Sequence, residues 1–171
     1  MTLPDLMLES FQRNARVNEF LLGHLSDEEA SLSDGQGGDT ALQLLSHMAS
    51  ARGGWLLDMG LSPEHAAELQ DLAGGVTLWE WQASGLAELR AMFAAGDRAV
   101  VNAVQAHVRA GKPFPDPYAA TAFPSNPAHF LLYIVIHDSH HRGQIVTLLR
   151  QSGRSQERMD ELEQLWTLLR Q

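Results

Sequence analysis

Residues 127–151 read PAHFLLYIVIHDSHHRGQIVTLLRQ, and this stretch decides the fold. Asn126 is suited to cap a helix, Pro127 to occupy its first turn and Gly153 to end it. A seam of Phe130, Ile134, His137, His141, Ile145 and Leu148 follows helical spacing. Four residues at about 100° each return a side chain to within roughly 40° of its starting direction. His137 and His141 therefore share one helix face, one turn apart, and are read as pointing inward.

Working outward, the rest of the chain also reads as helix. A first helix is expected from about Pro4 to Leu25, with Met7, Phe11, Val17, Phe20, Leu21 and Leu25 as its imperfect apolar stripe. Leu32 to Gly38 is too rich in glycine for regular structure. Asp39 or Thr40 caps a second helix to about Asp58, whose stripe is Leu44, His47, Ala51 and Trp55. Gly53-Gly54 within it implies close packing or a bend. From Gly60 to Gly75 the reading is loop, with a short helix at Pro63 to Leu72.

A long third helix is expected from about Leu78 to Ala110, supported by Leu86, Leu89, Phe93, Val100, Val101, Val104 and Val108, and ended by Gly111 and Pro113. The prolines between Gly111 and Pro127 argue for an ordered excursion long enough to suspect a role. A last amphipathic helix, Ser155 to Arg170, should bury Met159, Leu162, Leu165, Trp166 and Leu169. Strand-like alternation is scarce, and no fixed-period repeat is visible. The expected architecture is all-α: one domain over 1–171, a four-helix bundle with a long crossover loop and an accessory C-terminal helix.

His47, His137 and His141 are the candidate metal ligands. Unpaired polar rings directed into a bundle cost on the order of 1–3 kcal/mol each, and one shared cation would satisfy all three. His140 also lies within reach of His137 but on a stripe that turns polar, so it reads as a neighbour or a surface residue. Each of these histidines taken singly also has a plain reading as a hydrogen-bonded core residue. His137-Asp138-x-x-His141 differs from the zinc-protease pattern in its shorter, sideways-directed carboxylate. No repeated Glu-x-x-His pair supports di-iron chemistry. Arg142 is read as pointing away from the core seam, toward a carboxylate on a neighbouring helix or a substrate anion. Of the four tryptophans, only Trp55 is placed near the site.

Composition narrows the chemistry. The chain has 171 residues, no cysteine and a net charge of −9. Thiolate ligands, disulfides and a cysteine nucleophile are excluded. The acidic balance disfavours nucleic acid and anionic membrane surfaces as partners. No apolar stretch approaches the roughly 18 residues of a membrane span, and no leader-like segment opens the chain. A soluble cytoplasmic protein is the expectation.

His137-x-x-x-His141-Arg142-Gly143-Gln144, followed by Ile145-Val146-Thr147-Leu148-Leu149-Arg150, resembles the signature helix of the DinB/YfiT-like metalloprotein superfamily. Leu45-Ser46-His47-Met48-Ala49, with Trp55 downstream, is similar to that family's first ligand helix. The resemblance implies a four-helix bundle, commonly a homodimer, with His47, His137 and His141 holding zinc or nickel. It also implies a metal-dependent S-transferase or isomerase that acts on a small-molecule substrate with a low-molecular-weight thiol such as bacillithiol. A metal-dependent hydrolase is an alternative, as is a stress-associated metal- or ligand-binding protein without turnover. Ligand type alone does not choose the metal, because imidazole accepts several.

Overall fold

The computed structural model of the chain describes residues 2–59, 63–115 and 126–170, with the side chains of 63–66 excepted. Its regular elements are α1 (Leu3–Gly23), α2 (Asp27–Ala30), α3 (Ala41–Asp58), α4 (Pro63–Ala73), α5 (Leu86–Ala110), α6 (Pro127–Gln151), α7 (Gln156–Glu163) and α8 (Leu165–Arg170). There is no strand among the described residues.

Local chemistry explains where these helices begin. Thr2, Ser26 and Thr40 each form a reciprocal capping box, with Asp5, Glu29 and Gln43 respectively. At α3, Gln43 N–H donates to Thr40 Oγ1 at 3.2 Å, and Thr40 N–H donates to Gln43 Oε1 at 2.8 Å. Asn126 Oδ1 accepts from Ala128 N–H at 2.8 Å ahead of α6, with Pro127 in the first turn as expected. Each such cap is worth about 1 kcal/mol. Gly111 ends α5 at φ +63°, a conformation that costs glycine nothing.

Three boundaries differ from the sequence reading. The third helix starts at Leu86 rather than Leu78, because Ser84-Gly85 breaks it and Ala83 N–H is drawn to Ser46 Oγ on α3 at 3.1 Å. The capping box at Ser26 adds the short α2. The last helix divides at Gln164, leaving Met159, Leu162 and Leu165 buried but Trp166 57% exposed. The expected excursion falls largely on 116–125, outside the described residues, although Phe114 at its edge is buried edge-on against Phe130 and His107.

The bundle consists of α1, α3, α5 and α6. Both α1 and α3 pack on α5 and on α6, so α1 and α3 lie across a diagonal. The 24–40 connection therefore crosses one end of the bundle. α4 packs on α5 and α3, and α8 covers α1. The core is apolar, with Phe11, Leu21, Leu45, Met48, Leu89, Met92, Phe130 and Ile134 fully enclosed.

Two glycines explain close approaches. A Cβ on Gly53 would stand 2.6 Å from Leu78 Cδ1 and 2.8 Å from Leu69 Cδ1, so glycine there permits tight packing of α3. On α5, a Cβ at Gly96 would stand 3.0 Å from Arg52 Cδ. Gly96 thus leaves room for a large side chain directed from α3 into the bundle.

Candidate metal centre

The helical phase of α6 differs from the sequence reading, and that difference shapes the site. Its buried row runs Phe130, Ile134, Asp138, Arg142, Ile145 and Leu149. His137 and His141 lie beside that row and are half-buried, while His47 on α3 is exposed. The three rings meet in the groove where α3 packs on α6, rather than inside the core. Asp138 and Arg142, read as sideways and outward, take the central positions.

Asp138 and Arg52, both charged, occupy the core because polar groups there satisfy them. Asp138 Oδ2 accepts from Asn14 Nδ2 at 2.6 Å, Asn18 Nδ2 at 2.7 Å and Arg52 Nη2 at 2.6 Å. Its Oδ1 accepts from Arg52 Nη1 at 3.2 Å. Arg52 is fully buried and also donates to Asp97 Oδ1 and the Met48 carbonyl, each at 2.6 Å. Its guanidinium carbon lies 4.8 Å from the Phe93 ring centroid. Burial alone would raise the Asp138 carboxyl, but Arg52 and the donated hydrogen bonds outweigh it and hold the group far below the usual carboxylate range.

Sequence reading missed Arg52, Asn14, Asn18 and Asp97. Asn14 and Asn18, four apart beside Phe11, Val17 and Leu21, carried a legible signal of polar groups on the inner face of α1.

Above this network the three histidines converge. His137 Nε2 and His47 Nε2 are 2.9 Å apart, and one ligand nitrogen from each of the three rings falls within a group spanning 4.8 Å. His141 Nδ1 is 2.7 Å from Gln144 Oε1, a contact that needs the proton on Nδ1 and leaves the Nε2 lone pair free. Burial lowers the His47 and His141 pKa values below that of ordinary imidazole. The neighbouring rings act in the same direction, and for His141 the Gln144 contact partly offsets them. The shifts at His47 and His141 weaken the competition of protons for these two rings, which favours metal ligation.

The donor set fits a cation. Two Nε2 atoms this close repel unless a proton or a metal ion lies between them. Ligand nitrogens about 2.0–2.1 Å from a zinc ion sit roughly 2.9–3.4 Å apart for angles of about 90–110°. The His47–His137 spacing already meets that, and a ligand nitrogen of His141 lies within 4.8 Å of both. His137 Nδ1 is buried without a hydrogen-bond partner, and Asp138 Oδ1, at 3.9 Å, is the carboxylate beside it.

The surroundings partly match expectation. His137 stacks on Tyr133 at 5.8 Å, and Tyr133 meets Trp55 edge-on at 5.9 Å, which leaves Trp55 one ring removed from the site. His140 is exposed, 5.0 Å from the His141 ring, and lines a cleft of about 660 Å³ with Asp34, Asp39, Leu44 and Gln144. A model of the DinB family matches residues 1–168 of the chain. No curated protein and no solved structure matches it.

Proposed function

The chain belongs to the DinB family, and from that premise we propose that His47, His137 and His141 bind a divalent metal ion, zinc or nickel, serving a thiol S-transferase or isomerase. The observation that carries this reading is the convergence of three imidazoles from two helices, with one ligand nitrogen of each within 4.8 Å of the others. A bound cation would supply Lewis acidity, favouring the thiolate over the thiol of a low-molecular-weight cosubstrate.

The chain's own residues supply the rest. Gln144 fixes the tautomer and orientation of His141. Tyr133 packs along His137 and limits its rotation. Three protein ligands leave coordination positions open, as catalytic sites do and closed structural sites do not. The adjacent cleft, flanked by His140, offers a route for a small molecule. With no cysteine in the chain, the sulfur nucleophile arrives with the cosubstrate. The homodimer and cytoplasmic setting belong to the same reading; exposed Leu132 and Ile136 on α6 offer an apolar strip to a second copy.

Protein loaded with zinc is expected to bind bacillithiol in a calorimetric titration, and metal-stripped protein is not. Equal binding with and without metal would refute the thiol role. Turnover of esters or amides without thiol would transfer the site to the hydrolase reading. Full metal occupancy with inactivity in both screens would favour a non-catalytic binder.

Acid should release the metal. Protons compete for imidazoles whose ordinary pKa is about 6.5, so occupancy is expected to fall as pH drops below roughly 6. The lowered pKa values of His47 and His141 delay this loss relative to free imidazole. Equilibrium dialysis across pH checks it, and occupancy unchanged at about pH 4 would contradict histidine ligation.

A further inference from the structure

We propose that the cleft between α6, α1 and the C-terminal helices is a second ligand site, binding a monocarboxylate with an apolar body through Arg142. This site is separate from the three histidines, which meet in the groove between α3 and α6, and does not depend on a metal there.

Arg142 carries the argument. It is only 9% exposed and lines a cleft of about 420 Å³, within the size range of small-molecule pockets. Its Nη1 donates to Asn14 Oδ1 at 2.7 Å and Asn18 Oδ1 at 2.6 Å. The same two asparagines turn their Nδ2 atoms to Asp138, so their amides separate Arg142 from the nearest buried carboxylate. No described carboxylate forms an ion pair with Arg142, and its Nε and Nη2 have no hydrogen-bond acceptor among the described residues. Neither nitrogen is among the sealed, unpartnered atoms of the protein; that edge of the guanidinium therefore reaches solvent.

A buried cation without a direct ion pair is costly and rare. Nε–H and the adjacent Nη2–H form the side-on fork that receives both oxygens of a carboxylate. The cleft walls are apolar, with Val135, Val146, Met159, Leu162, Leu165 and Leu169. At the rim, Glu163 is already paired with Arg150 at 2.9 Å, so it does not cancel the charge of Arg142. The site thus offers one guanidinium with no direct ion pair at the end of a greasy slot, in a chain of net charge −9. Burial lowers the Arg142 pKa, and the Asp138 charge behind the asparagines offsets this only in part.

Octanoate is the probe, titrated calorimetrically into the full chain, with octanol and octylammonium as controls. Octanoate is expected to bind with a Kd below about 1 mM, and each control at least about tenfold more weakly. Arg142→Lys keeps the charge but loses the fork, and Val146→Trp fills the slot without touching the polar network; each should weaken octanoate binding by about tenfold or more. Treatment with EDTA should change nothing. Failure of octanoate to bind, equal binding of octanol, binding untouched by both substitutions, or binding that vanishes with EDTA would each overturn the proposal. The last of these would assign the carboxylate to the histidine site instead.

Discussion

Arg52→Met is expected to cost about 3–5 kcal/mol of folding stability, since it leaves the Asp138 carboxylate buried without its ionic partner. That is a large share of the roughly 5–15 kcal/mol that holds a domain of ordinary stability together. The methionine fills much of the space that Gly96 leaves for Arg52, so the loss is electrostatic more than steric. Asn14 and Asn18 can still donate to Asp138, but neutral amides do not compensate a buried charge. Urea unfolding of both proteins, checked for two-state behaviour, measures the difference. A loss under about 1 kcal/mol would mean that the network is solvated and its burial overstated.

The same substitution should alter the acid limb of stability. In the wild type the Asp138 carboxyl is depressed below its unfolded value of about 3.9, so its contribution is fully present above that pH and drains away as pH falls. Without Arg52 the carboxyl rises, and the acid slope due to this group should flatten or reverse sign.

His137→Ala and His141→Ala are each expected to abolish tight metal binding, weakening it by about a hundredfold or more, because two remaining imidazoles do not hold zinc against buffer. His140→Ala should leave affinity within about threefold, its ring being exposed and outside the converging group. Competition with a chromophoric chelator reads all three. Strong loss in His140→Ala with little effect in His141→Ala would mean that the ligand positions on α6 are misplaced by one residue.

Much of this was legible in the sequence. The Thr40 and Asn126 caps, Pro127 and Gly111 lie where helix chemistry requires them, and the four-residue spacing of His137 and His141 brings their rings together beside His47 where α3 packs on α6. What escaped was the phase of α6. Hydrophobic patterning treats Asp138 and Arg142 as outward by default, and only their partners on α1 and α3 make burial affordable. Those partners lie more than a hundred positions away for Asn14 and Asn18, beyond what local periodicity can reveal. The early end of the α5 reading had a local cause by contrast: Ser84-Gly85 interrupts an apolar run that periodicity alone would carry through from Leu78. Spacing places Trp166 in the core, yet the helix breaks at Gln164 and the ring is exposed.

A crystal of the metal-loaded protein, with diffraction recorded on both sides of the zinc or nickel absorption edge, tests the central claim most directly. One anomalous peak is expected about 2.0–2.2 Å from a ring nitrogen of each of His47, His137 and His141. A peak that involves His140 or a carboxylate in place of any of these, or none at that point in protein shown by elemental analysis to carry one metal per chain, would contradict it.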